Sequence, residues 1–453
     1  MIDDPQPAKP RAVLARLGLD RPELRAWAMY DWAVSSVQTT IMVAVFPIFY
    51  KLVVARDLPD EVSTGYIAAA NSVAMGLIAV LSPVLGALAD YTAAHKRLLG
   101  LFMGLGASAV AAMFFLRQGH VWLGFWLFVA ALVGAAGSMV FYESLLPHVA
   151  SENEIDRVST AGYGLGYAGG GTLLALNLAW ILFPGAFGLS SADSTLPTRL
   201  ALLSVAAWWV LFSVPLFRRV ANPPRTLEPD ETPRTQPVRG AFIRLWETLR
   251  ALRGYRQAFL MLLAFLVYND GIQTIIKMAT AYGTDLGIGQ NALIAAILIV
   301  QFVGIPFAFL FGMLAGRIGT KPAIFTGLAA YTAISILGYF MTNALHFFVL
   351  AGLVGMVQGG TQALSRSLFA SMVPPHRSGE FFGFFSVFEK FAGIFGPLFF
   401  AVSLAVTGSS RNAILSVILF FVVGGLLLAL VDVQEGRRVA QEAELGVREV
   451  GAA

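Results

Sequence analysis

The sequence predicts an all-α polytopic membrane protein with twelve transmembrane helices in two pseudo-symmetric six-helix bundles. Three observations carry this. The 453 residues are 57% hydrophobic and only 13% charged, with a mean hydropathy of +0.71, far from the usage of water-soluble domains. Uninterrupted apolar runs such as 413–430 are long enough to cross the roughly 30 Å of hydrocarbon that about 20 helical residues span. The alternating pattern of a barrel strand is missing, so each span must close its backbone hydrogen bonds internally, as a helix.

Hydropathy places the first six spans at 27–54, 65–88, 98–116, 122–146, 158–183 and 200–217, and the second six at 259–282, 292–314, 323–341, 347–372, 381–406 and 413–430. The organisation is therefore an extension at 1–25, bundles at 26–217 and 258–431, a linker at 218–257 between them, and a tail at 432–453. The extension is charged throughout and lacks the short apolar core of a cleaved signal peptide. In the linker, the proline-rich NPPRTLEPDETPRTQP precedes GAFIRLWETLRALRGYR, whose basic amphipathic pattern predicts a helix lying on the membrane surface.

The formal charge is +4, but position matters more than the total. Of the 31 basic residues, 23 fall on the side of the termini and 5 in the opposite loops, with Lys277, Arg366 and Lys390 inside spans. This asymmetry predicts cytoplasmic termini, in the plasma (inner) membrane if the chain is bacterial, and no role with nucleic acid. There are no cysteines, so no disulfide, thiolate metal site or thiol nucleophile is available.

The halves repeat. GALADYTAAHKR after span 2 (Gly86 to Arg97) is echoed by GMLAGRIGTK after span 8 (Gly312 to Lys321), and Pro147 after span 4 by Pro374 after span 10, at offsets of about 226 residues. Two landmarks at one offset indicate a duplicated six-helix unit, as in transporters whose halves rock around a midplane site.

The loop carrying Gly86, Asp90, Lys96 and Arg97 resembles the signature loop of the major facilitator superfamily; the second copy has Gly316 where the pattern wants the aspartate. Tyr30-Asp31-Trp32-Ala33, the segment Tyr268 to Thr274 (YNDGIQT) and the segment Gly359 to Ser367 (GGTQALSRS) resemble the branch related to the vacuolar amino-acid effluxers of autophagy, over roughly residues 25–432. The resemblance implies spans 1, 4, 7 and 10 around a central cavity, and alternating-access transport of a small polar solute, best an amino acid, with a proton or other cation as coupling ion. It also implies that Asp90, with Lys96 and Arg97, latches the cytoplasmic face. A monomer among membrane lipids, without cofactor, is expected.

Charged residues inside a bilayer are costly, at least about 2.5–3.5 kcal/mol each, and face partners or a watery path. The spans hold Asp31, Glu143, Asp270 and Glu389 against Lys277, Arg366 and Lys390, so at least one carboxylate lacks a one-to-one basic partner. Asp31, Glu143 and Arg366 lie toward the cytoplasmic ends of their spans and read as an inner gate. Asp270 and Lys277 lie deeper in span 7, seven residues apart and so on one face, with Asn269, Gln273 and Thr274 nearby. They are the candidates for proton and substrate binding, with the alternative that Asp270 anchors a packed helix and Lys277 snorkels. Glu389 is either a second coupling carboxylate or Arg366's structural partner. Gln358 and Gln362 share a face of span 10 and can bind a polar solute or tie helices together. Gly162, Gly166 and Gly170 form a flat face for close helix packing.

All five histidines (His95, His120, His148, His346, His376) fall at span ends or loops, which gives no intramembrane metal site, and no HExxH, GxSxG or phosphate-loop pattern occurs. Secondary transport rather than enzymatic work is the reading. The alternatives are a sugar or drug facilitator of the same fold, and a receptor or scaffold that has lost transport.

Overall fold

The computed structural model describes residues 14–189, 193–224, 254–288, 290–393 and 395–452. The surface helix expected at 240–256 lies almost wholly outside the described residues. Among the described residues, eleven helices are long and apolar enough to cross a membrane. In the first half these are α1 (Pro22–Val54), α2 (Asp60–Thr92), α3 (His95–Ala112), α4 (Val121–Ser144), α5 (Ile155–Leu182) and α6 (Leu196–Arg219). In the second they are α7 (Arg256–Asp285), α8 (Gln290–Ile318), α9 (Thr320–Tyr339), α10 (Ala344–Ala370) and α12 (Ser410–Ala429).

The remaining span is not one helix. The run expected at 381–406 divides into α11a (Ser378–Phe391) and α11b (Phe395–Thr407). Ala392 is extended and Gly393 takes φ +85°, a left-handed conformation that glycine adopts at no steric cost. The expected tail is also more than an extension, because Val433–Ala452 forms a helix, α13.

α1 begins at Pro22, whose fixed φ suits the first helical turn and whose missing N–H forfeits no bond there. Two stretches, Val37–Ala44 and Tyr50–Val54, wind more widely. Val45 donates to the Thr40 carbonyl at 2.8 Å and Ala55 to Tyr50 at 2.7 Å, each five residues back. The glycine face of α5 packs on α1: a Cβ on Gly166 would meet Ser35 Oγ at 2.7 Å, and one on Gly170 would meet the Ser35 carbonyl at 3.0 Å. The halves meet along two seams, α2 against α11a and α5 against α8. Apolar side chains such as Leu52, Val80, Leu211 and Val406 are exposed, as a surface toward lipid requires.

Candidate transport path and gates

α1 begins, α12 ends and α13 lies on one face of the bundle, called here the terminal face. Near it, Arg366 of α10 is fully buried. Its guanidinium lies 3.5 Å from Asp31 of α1 and 3.7 Å from Glu143 of α4. Its Nε donates to Ser159 Oγ and an Nη to the Ser159 carbonyl, both at 3.0 Å. The rings of Trp27, Tyr142 and Tyr163 surround it, with centroids 5.1, 5.7 and 4.7 Å from the guanidinium carbon, and Tyr142 donates to Asp31 at 2.8 Å. One second-half cation thus holds three first-half helices. A single guanidinium faces two carboxylates, so the cluster carries one formal negative charge when all three groups are ionised.

Sequence reasoning grouped Asp31, Glu143 and Arg366, and the structure brings them together. It does not pair Arg366 with Glu389, which sits half-buried near the end of α11a. The aromatic cage and Ser159 were not foreseen, and only the cost of burying a guanidinium hinted that such company was needed.

The loop after α2 closes the first seam. Asp90 is buried and accepts from the backbone N–H groups of Gly379 and Glu380 at 2.9 and 2.8 Å, capping the first turn of α11a, and its carboxylate meets His95 Nε2 at 2.8 Å. The negative charge suits the positive end of the helix dipole. A Cβ on Gly379 would lie 2.7 Å from the Gly86 carbonyl, so this contact needs glycine on both sides. Lys96 does not join Asp90. It donates to the carbonyls of Phe217 and Val220 at 2.9 and 2.6 Å, capping α6, while Arg97 is exposed. Lys321 repeats the Lys96 role at α12, with 2.8 Å bonds to the carbonyls of Ala429 and Val431.

Farther from the terminal face, α7 meets the break in α11. The two Asp270 carboxylate oxygens accept from the backbone N–H groups of Gly393 and Gly396, the latter at 2.9 Å. Lys277, one face along, donates to the Gly393 carbonyl at 3.1 Å. The amide groups left without helical partners where α11 parts are therefore held by one anion and one cation from a neighbouring helix. Gly396 packs so closely on Thr274 and the Asp270 backbone that a Cβ would clash. Asn269 accepts from Gln362 at 3.3 Å, and its buried amide nitrogen has no acceptor among the described residues. Gln273 and Gln358 are half-buried. The shared face of Asp270 and Lys277 was legible from spacing. The break was not, although FAGIFGP, with two glycines and a proline inside an apolar run, is the signature of an interrupted transporter helix.

α13 crosses the terminal face. Arg437 lies 3.3 Å from both Glu152 of the first half and Ser371 of the second, Gln441 donates to Glu152 at 2.9 Å, and Glu444 meets His376 at 2.8 Å. On its exposed side Arg438 bonds to Glu435 and Glu442, and the bond to Arg438 holds the Glu435 carboxyl below its ordinary range.

A twelve-span bundle of two six-helix halves, closed by a charged loop after the second helix, is the fold of a major facilitator transporter. The human organic anion transporter MFSD10 superposes with a TM-score of 0.62 at 13% identity, covering 93% of this chain and 100% of that one. The proton:xylose symporter XylE superposes with 0.64 at 11% identity, covering 93% and 96%. At such identities the likeness is one of fold alone. The profile of the vacuole effluxer Atg22-like family matches residues 60–441, and the MFS-type transporter YxiO of Bacillus subtilis is 37% identical over 418 residues, 92% of this chain and 96% of that one. The chain belongs to that family and is a multi-pass membrane transporter. Autophagy-related protein 22 of Yarrowia lipolytica is 26% identical over 316 residues, 64% of this chain but only 52% of that longer relative.

Proposed function

We propose that the protein carries a small zwitterionic solute, with an amino acid as the best candidate, by alternating access coupled to a proton. The observation that carries the proposal is the embrace of the α11 break by Asp270 and Lys277. An ionised Asp270 ties α7 to both sides of the break through two backbone N–H groups. A protonated carboxyl is a poorer acceptor and loosens that tie, so proton loading changes how α11b is held. A solute carboxylate competes with the Gly393 carbonyl for Lys277, and a solute ammonium group can be met by Asp270 once helix 11 lets go. Asn269, Gln273, Gln358, Gln362 and Glu389 supply the polar surroundings.

On this reading the terminal face is cytoplasmic, the Arg366 cluster and the Asp90 cap form the closed inner gate, and the form described is outward-facing. The test is uptake of labelled amino acids by proteoliposomes with and without a pH gradient. Gradient-driven accumulation that a protonophore collapses is expected. Identical uptake with and without the gradient would remove the proton. Uptake of sugars or organic ions in place of amino acids would remove the solute class, and no uptake of any kind would favour a receptor or scaffold.

A further inference from the structure

We infer that Asp156 is a second inter-half latch, one in which the carboxylate has changed sides relative to the first. The inference rests on the alternating-access reading. In the first copy of the repeat the acid belongs to the loop, since Asp90 reaches from the end of α2 to the first turn of α11a. The equivalent seam joins the end of α8 to the first turn of α5, but there the loop position is Gly316, which has no side chain to reach across.

The seam is nevertheless closed by a carboxylate. Asp156, in the first turn of α5, accepts from the hydroxyl of Thr320, the first residue of α9, at 2.6 Å, and from the hydroxyl of Ser367 in α10 at 2.5 Å. Both donors belong to the second half and the acceptor to the first. The donors are now side chains and the acid sits on the helix, the reverse of the Asp90 arrangement. The surroundings fit an evolved exchange of sides. Gly312 packs so tightly on Thr160 of α5 that no Cβ fits there, and the Arg157 side chain lies over Gly316, where a Cβ would stand 3.5 Å from its guanidinium. The backbones are thus drawn together at Gly312 while ordinary contact space remains at Gly316.

Asp156 lies at the edge of its span rather than among the charges deep in the membrane. It touches no part of the Asp270 site, and its role is in setting the balance between closed and open terminal faces. Charge-assisted hydrogen bonds from hydroxyls to a carboxylate are the stronger kind, and removing one shifts a near-balanced two-state equilibrium by about tenfold or more.

The chain has no cysteine, so spin labels at Arg219→Cys and Arg256→Cys, both exposed and on opposite halves, report the width of the terminal face by pulsed dipolar spectroscopy. Asp156→Asn, and separately Thr320→Val, should each raise the ratio of long to short distances about tenfold. Gly316→Asp added to Asp156→Asn should return the short-distance population by restoring an acid on the loop side. Unchanged distances in both single variants, while Asp90→Asn widens the face, would overturn the second latch and leave alternating access standing. A widened Asp156→Asn face that Gly316→Asp fails to narrow would place the role of Asp156 inside α5 and overturn the inference too. A face that stays closed in every variant, Asp90→Asn included, overturns the alternating-access reading itself. Thermal melting run in parallel separates a latch from a packing role, since a packing residue lowers the melting temperature without moving the distances.

Discussion

The carboxylate of Asp270 and the backbone N–H of Gly396 meet at 2.9 Å across the break in helix 11, which makes an acidic side chain the cap of a half-helix inside the membrane. Asp270→Asn keeps the shape but can accept at only one oxygen. Its expected phenotype is loss of gradient-driven accumulation with solute exchange retained, because exchange needs binding and rocking but no net proton movement. Paired uptake and counterflow assays on the same proteoliposomes check this. Full accumulation by the variant would move the coupling role to Glu389.

The exposed Lys277 holds the Gly393 carbonyl at the edge of the α11 break, and its replacement should disturb binding more than folding. Lys277→Gln is expected to raise KM for an amino acid by about tenfold to a hundredfold, the worth of one hydrogen bond to a charged group, with little change in melting temperature. A KM unchanged by the substitution would exclude the lysine from the solute site.

Arg366 presents the opposite case, a buried cation whose loss takes the guanidinium from two buried carboxylates. Arg366→Met should cost about 3–5 kcal/mol of stability, the usual penalty for breaking a buried ion pair from one side. Adding Asp31→Asn and Glu143→Gln should recover much of that loss without restoring a closed terminal face. Melting curves and the spin-label distances described above separate these two effects.

Orientation is open to direct labelling. Single cysteines at Arg117 and Thr407, both exposed on the face opposite the termini, should react with an impermeant maleimide added to intact cells. One at Arg219 should react only after permeabilisation. The reverse pattern would invert the assigned topology.

The bridge from α13 to the first half runs through Glu152, and the side chains of Glu152 and Arg437 remain 41% and 32% exposed. Such pairs are worth about 0–1 kcal/mol and weaken with salt. Glu152→Arg should therefore loosen the tail from the first half while α13 stays docked at His376, and the Glu152→Arg, Arg437→Glu exchange should re-dock it. Hydrogen exchange along 433–445 provides the measurement, with slower exchange expected in the double variant than in the single one.

The parts of the fold that were legible from sequence are those where the bilayer penalises error. Helix number followed from the length of apolar runs, and the grouping of Asp31, Glu143 and Arg366 followed from their shared position toward one end of spans that the family resemblance sets around one cavity. What stayed hidden involves groups that hydropathy does not weigh. The break at Gly393 disappears in a window average because its neighbours are phenylalanines. Asp156 stands just outside the span expected at 158–183, and α13 docks on Glu152 and His376, which lie 289 and 68 residues from their partners in sequence. Lys96 misled for a related reason, since its position beside Asp90 in the chain did not show that it turns toward the end of α6.

The wide turns of α1 bear on how that helix can twist. A turn closed five residues back holds one residue more than an ordinary turn, and each residue of an α-helix subtends about 100°. Exchanging a wide turn for a regular one between Val37 and Ala44 would rotate the segment bearing Tyr30, Asp31 and Ser35 against the segment beyond Val45 without cutting the hydrogen-bond ladder. Such an exchange would swing Asp31 around the helix axis while Phe46, stacked on Phe128, and Tyr50, bonded to the Val121 carbonyl, stay seated against α4.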